Sequence, residues 1–154
     1  MRLRAVASTD NAMWTHVLLK SGQILWASPW TLLGLLIGIV CSPFSGKIIF
    51  YRGTVGCYGR GVAMLLRKVP IIGGARAMTL GHTILACDRL ALISTHPHEL
   101  VHVRQYERWG LFFVPAYLLC GVWLWWNNED AYWDNPFEKE AYRLESEYKN
   151  RNIA

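Results

Sequence analysis

The sequence predicts an α+β domain with a short antiparallel sheet packed on helices, preceded by an apolar N-terminal segment. Three observations support this. Short apolar pieces punctuated by glycine crowd residues 47–87, as strands joined by tight turns would. On either side, apolar residues recur at helical spacing, over 13–25, 98–110 and 136–148. Residues 24–41 carry no charged side chain, although 18% of the whole chain is charged.

At the N-terminus, Thr9 or Asp10 suits the cap of a first helix in which Met13, Trp14, Val17, Leu18, Ile24 and Leu25 repeat. Residues 1–12 lack the apolar stretch of a cleavable signal peptide. Ile24 to Cys41 is just long enough to span a bilayer core of about 30 Å. Pro29, Gly34 and Gly38 equally suit a bent, re-entrant or buried segment. Residues 1–45 are therefore read as a membrane-associating segment and 46–154 as the domain proper.

Lys47–Arg52 and Thr54–Tyr58 read as strands and are followed by an apolar run, Val62–Leu66. Gly73-Gly74 marks a turn before Ala75–Leu80 and Thr83–Cys87, between which Gly81 implies a bulge, a bend or a tight pair. Pro97 suits the first turn of the next helix and Gly110 its stop. The run Leu111 to Trp126 is uncharged, with Pro115 inside it. A final helix opens at Asn135-Pro136, with Asn135 as cap and carboxylates in its first turn. Phe137, Ala141, Leu144 and Tyr148 form its predicted buried stripe.

Composition narrows the class. The chain of 154 residues is 53% hydrophobic, enough for one well-buried domain. Eight Trp and seven Tyr suit contact with a membrane interface. Cys41, Cys57, Cys87 and Cys120 lack metal-ligand spacing and read as unpaired thiols. The net charge of +5 is spread over basic residues that lie singly, without interleaved aromatics. This argues for anionic lipid rather than nucleic acid as partner.

The chemistry lies in His98-Glu99-Leu100-Val101-His102. Imidazoles four apart share a helix face, so both can reach one tetrahedral zinc ion at about 2.0–2.1 Å. Glu99, one step round the helix, is placed to take a proton from a metal-activated water and pass it to a leaving amine. A catalytic zinc needs a third protein ligand, and Glu138 or Glu140 could supply it. Glu140 lies nearer the centre of the apolar stripe, so periodicity favours it. If residues 111–126 crossed a bilayer, His102 and Glu138 would emerge about 30 Å apart. That run is therefore read as a buried or interfacial helix beneath the cleft.

The motif pair resembles the gluzincin metallopeptidases, in particular their compact minigluzincin branch. The stretch from His98 to Gly110, with Phe113, Pro115, Tyr117 and Asn135-Pro136-Phe137-Glu138, is similar to a group of uncharacterised bacterial proteins read as membrane-associated peptidases. The resemblance covers about residues 76–145. It implies zinc-dependent hydrolysis of a peptide or protein substrate, with one zinc held by His98, His102 and Glu138. It also implies a strand beside the cleft, here the Met78–Leu85 region, that pairs with extended substrate. The chain departs from the family at Tyr142, where an Asp or Asn orients the first histidine. The oxyanion or substrate contact is open among His82, Tyr142, Tyr106 and Tyr132.

Two alternatives follow from other classes of function: a non-catalytic membrane protein holding structural zinc, and a basic lipid-binding module without metal. The structural site would have its fourth position filled by Glu140 or His82. The expected location is the bacterial inner membrane. Lys47, Arg52 and Arg60 closely follow the apolar segment and only Lys20 closely precedes it, which puts the domain on the cytoplasmic side.

Overall fold

The computed structural model describes residues 2–68 and 74–153, with side chains placed for 15, 17–68 and 74–151. The first helix begins at Arg2, so Thr9 and Asp10 lie within it and not at its cap as expected, while Gly73 of the expected turn lies outside the described residues. The elements run α1 (Arg2–Cys41), β1 (Lys47–Tyr51), β2 (Thr54–Tyr58), α2 (Arg60–Leu66), β3 (Ala77–Leu80), β4 (Thr83–Ala86), α3 (Arg89–Trp109), α4 (Phe113–Trp126) and α5 (Pro136–Ile153), with a 3-10 turn at Gly110–Phe112. The fold is α+β.

The sheet has the order β1-β2-β4-β3 and is mixed, not antiparallel as expected. β1 pairs antiparallel with β2, and β3 with β4, but β2 and β4 run parallel, with Val55 opposite Thr83 and Tyr58 opposite Ala86. Burial explains the order. All four residues of β4 are buried, so it takes an inner position, while the half-exposed Ala77 and Met78 leave β3 at the edge. The run Val62–Leu66 belongs to helix α2, and after it β3 starts at the sheet end where β2 stops and runs back, so that β4 lies parallel to β2. Gly81, at φ 60°, turns β3 into β4 as a tight pair.

Two prolines sit inside α1 and α4, and each leaves a carbonyl one turn back without its helical donor. For Pro29 that carbonyl is Leu25, which accepts the Ser28 hydroxyl at 2.7 Å. For Pro115 it is Leu111, which accepts the Trp30 indole N–H at 3.3 Å. The second bond also ties α1 to the entry of α4.

α1 rests on the sheet through Ala27, Thr31, Gly34 and Gly38, which share one helix face. A Cβ on Gly34 would stand 2.7 Å from Thr83 Cβ, and one on Gly38 would strike Cys57 Sγ. Thr31 accepts from His82 N at 3.0 Å through its hydroxyl and from the Thr83 hydroxyl at 3.1 Å through its carbonyl. The opposite face of α1 leaves Leu25, Leu32, Leu36 and Val40 exposed. Two segments, Val17–Cys41 and Arg89–Trp126, are long and apolar enough to cross a membrane.

α3 begins eight residues earlier than Pro97 would place it. Asp88 caps it, accepting Ala91 N at 2.7 Å, and Ala91 and Leu92 are buried from the first turn. Packing against the sheet thus carries the helix through Pro97. α3 ends at Gly110, φ 55°, as the sequence implied. α5 opens with Asn135 Oδ1 accepting Phe137 N at 3.1 Å. Its stripe is buried only at the start: Phe137 and Ala141 are enclosed, Leu144 is half-buried, and Tyr148 is exposed.

Candidate metal centre

One turn of α3 separates His98 from His102, and their ring centroids stand 4.9 Å apart. α5 crosses beside them and presents Glu138. Nε2 of His98 and Nε2 of His102 are 3.2 Å apart. Glu138 places Oε2 3.3 Å from the first and Oε1 3.4 Å from the second. All three side chains are buried, and together they form a group able to hold a metal ion. Ligand bonds of about 2.0–2.1 Å directed tetrahedrally set donor atoms about 3.3–3.4 Å apart, and each imidazole nitrogen stands near that distance from the other and from one of the two Glu138 oxygens, which leaves the carboxylate astride the position a metal ion would take. Glu138 Oε2 is buried without a hydrogen-bond donor among the described residues, the condition of an atom awaiting a cation.

Burial opposes charge on Glu138. The close pairing with His102 and His98, the attraction of His102 and the Tyr117 hydroxyl at 2.8 Å outweigh it and hold the carboxyl well below the usual range. Burial likewise opposes charge on His102, but Glu138 dominates and lifts its pKa from 6.5 to about 9.

The supporting contacts separate the two glutamates. His102 Nδ1 donates to Gln105 Oε1 at 2.8 Å, which leaves the Nε2 lone pair facing the cluster. Gln105 is fixed in turn, donating to Phe137 O at 3.0 Å and to Glu140 Oε2 at 2.8 Å. Glu140 thus stands behind His102 and also faces Arg108 at 3.5 Å. For His98 the support comes from Glu145, whose Oε2 lies 3.4 Å from Nδ1, at ion-pair range but outside hydrogen-bonding geometry. Tyr142 covers the His98 ring at 4.6 Å between centroids.

Glu99 is buried beside the histidines, and its Oε2 accepts the Thr79 hydroxyl of β3 at 2.8 Å. Desolvation raises its pKa, against the pull of His102, His98 and Thr79. Glu99, His98, His102 and Glu138 share the wall of a cleft of about 580 Å³ with residues 75–80, Phe113, Val114, Tyr117, Tyr132 and Tyr142. β3 is the last strand of the sheet, and the segment containing it runs along this cleft. The Tyr132 and Tyr142 hydroxyls meet at 3.1 Å. Tyr106 donates to Thr79 O at 3.1 Å.

His82 is not among the residues lining the cleft. It occupies the β3–β4 turn, with Nε2 3.0 Å from Glu107 Oε1, and the same carboxylate takes the Lys20 ammonium at 2.7 Å. Its ring is engaged by Glu107 of α3 and its backbone N–H by Thr31 of α1, outside the cleft lining, which corrects the expectation that it contacts substrate. Thr79, Gln105, Tyr117 and Glu145 were not foreseen. Only Gln105, one turn beyond His102, carried a signal in its spacing.

No model of a known protein family matches the chain. Neither a curated protein nor a solved structure is similar to it.

Proposed function

We propose that this protein is a zinc-dependent peptidase, hydrolysing peptide bonds in the cleft between β3 and α5. The observation that carries the reading is the buried group His98, His102 and Glu138, whose two Nε2 atoms stand 3.2 Å apart and each within 3.4 Å of a Glu138 oxygen, with Glu99 beside them. Bound zinc supplies a water acidified toward roughly pKa 7 and polarises the scissile carbonyl. Glu99 accepts the proton of that water and returns it to the leaving amine. The Thr79 hydroxyl fixes the Glu99 carboxylate, and burial keeps it a competent base. An extended peptide adds to the edge of β3 through main-chain hydrogen bonds. Tyr142 and Tyr132 stand in the cleft wall, where a hydroxyl can stabilise the developing oxyanion.

The rival reading, structural zinc without catalysis, wants a filled fourth position. Glu140 is held by Gln105 and His82 by Glu107, so neither closes it.

The protein associates with the membrane through the outer face of α1. Because α1 packs on a sheet whose β1 edge leaves backbone N–H and C=O groups without a strand partner among the described residues, a full crossing would draw those groups into hydrocarbon. α1 therefore lies in the interface, and the basic residues that follow it favour the cytoplasmic leaflet. Glu99→Gln tests the catalytic reading. The amide keeps the shape but cannot accept a proton, so zinc should remain while hydrolysis ceases. Full activity in that variant overturns the mechanism.

A further inference from the structure

α4 has two faces with different surroundings. Phe113, Val114 and Tyr117 line the cleft. The opposite face exposes Leu119 (69%), Val122 (60%), Trp123 (70%) and Trp126 (76%), at helical spacing. No charged residue occurs from Leu111 to Asn128. This stripe starts beside α1, because exposed Phe112 packs against exposed Trp26 at 6.0 Å between ring centroids. The outer face of α1 is also apolar, with Leu25 and Leu32 exposed. The two faces thus adjoin at an aromatic contact, and an exposed apolar surface this large marks an interaction site.

We propose that the α4 stripe docks in the headgroup region of a lipid bilayer and sets the cleft at the membrane surface, so that its substrates are chain segments emerging from the bilayer. The substrate half rests on the peptidase reading above. Lipid is the occupant because tryptophans crowd the stripe, its polar flank is absent, and it continues from the apolar face of α1. A helix is only about 10–12 Å across, so one face can lie in lipid while the other lines the cleft. Tethering a substrate to the same surface raises its effective concentration without any new contact.

The test uses the full chain in vesicles of phosphatidylethanolamine and phosphatidylglycerol. A photoreactive benzoylphenylalanine replaces Val122, or exposed Glu147 of α5 as a control. Lipid adducts at position 122 and not at 147 are expected. Adducts to a second copy of the chain, or no adducts, overturn the docking. Peptides of varied sequence are then fused either directly to a transmembrane anchor or through a long glycine-serine spacer. Cleavage of the direct fusions should be faster by about tenfold or more. Trp123→Glu with Trp126→Glu should remove that preference and leave cleavage of soluble peptides intact. Equal cleavage of both fusions by the wild type overturns the substrate assignment. Lipid adducts without cleavage of any peptide sink the peptidase reading and leave the docking surface standing.

Discussion

Glu145 Oε2 lies 3.4 Å from His98 Nδ1, one helical turn beyond Tyr142, whose ring covers the same imidazole. Lys149 holds the same carboxylate at 2.6 Å. Glu145→Ala should weaken zinc binding about 10–100-fold through loss of imidazole orientation. Lys149→Ala should change it much less. Competition with a fluorescent chelator measures both, and equal losses would remove Glu145 from the role.

Glu138→Ala should abolish zinc binding, whereas Glu140→Ala should retain the ion with reduced affinity, because Glu140 acts on His102 only through Gln105. Zinc content of the two purified variants decides. Loss in Glu140→Ala with retention in Glu138→Ala would reverse the assignment.

Thr79→Val should keep zinc and lower kcat about tenfold or more, the cost of losing a hydrogen bond to a buried carboxylate. KM should change little, since the hydroxyl faces Glu99. A raised KM with unchanged kcat would instead assign Thr79 to substrate binding.

The metal-free and zinc-loaded forms should respond oppositely to pH. The His102 pKa is raised from 6.5 to about 9 when no metal is bound, so its pairing with Glu138 stabilises the fold fully below pH 6.5 and fades as pH rises through 9. Zinc requires neutral imidazole, so affinity grows over the same range and levels above it. Melting temperatures from pH 6 to 9.5 should fall with chelator and rise with subsaturating zinc. Parallel curves would contradict this account.

Local signals were the most legible. Neither the spacing of His98 and His102 nor the capping of α5 by Asn135 depends on distant contacts. Pro97 signals a helix start by its N-terminal preference, but the buried Ala91 and Leu92 extend α3 back to Arg89. The parallel pairing of β2 with β4 was hidden for a similar reason. It depends on which strand is buried on both faces, a property of the assembled core. For Glu138 against Glu140, periodicity pointed to Glu140 and the family pattern to Glu138. The helix crossing that places Glu138 among the histidines is tertiary. Glu145 and Thr79 come from other elements, so no local spacing could reveal them.

Metal analysis of the full chain, purified in detergent without chelator, tests the central claim most directly. One tightly held zinc per chain is predicted, lost on His98→Ala and on His102→Ala and kept in Glu99→Gln. A wild-type protein that is folded, metal-free and unable to take up zinc would contradict it.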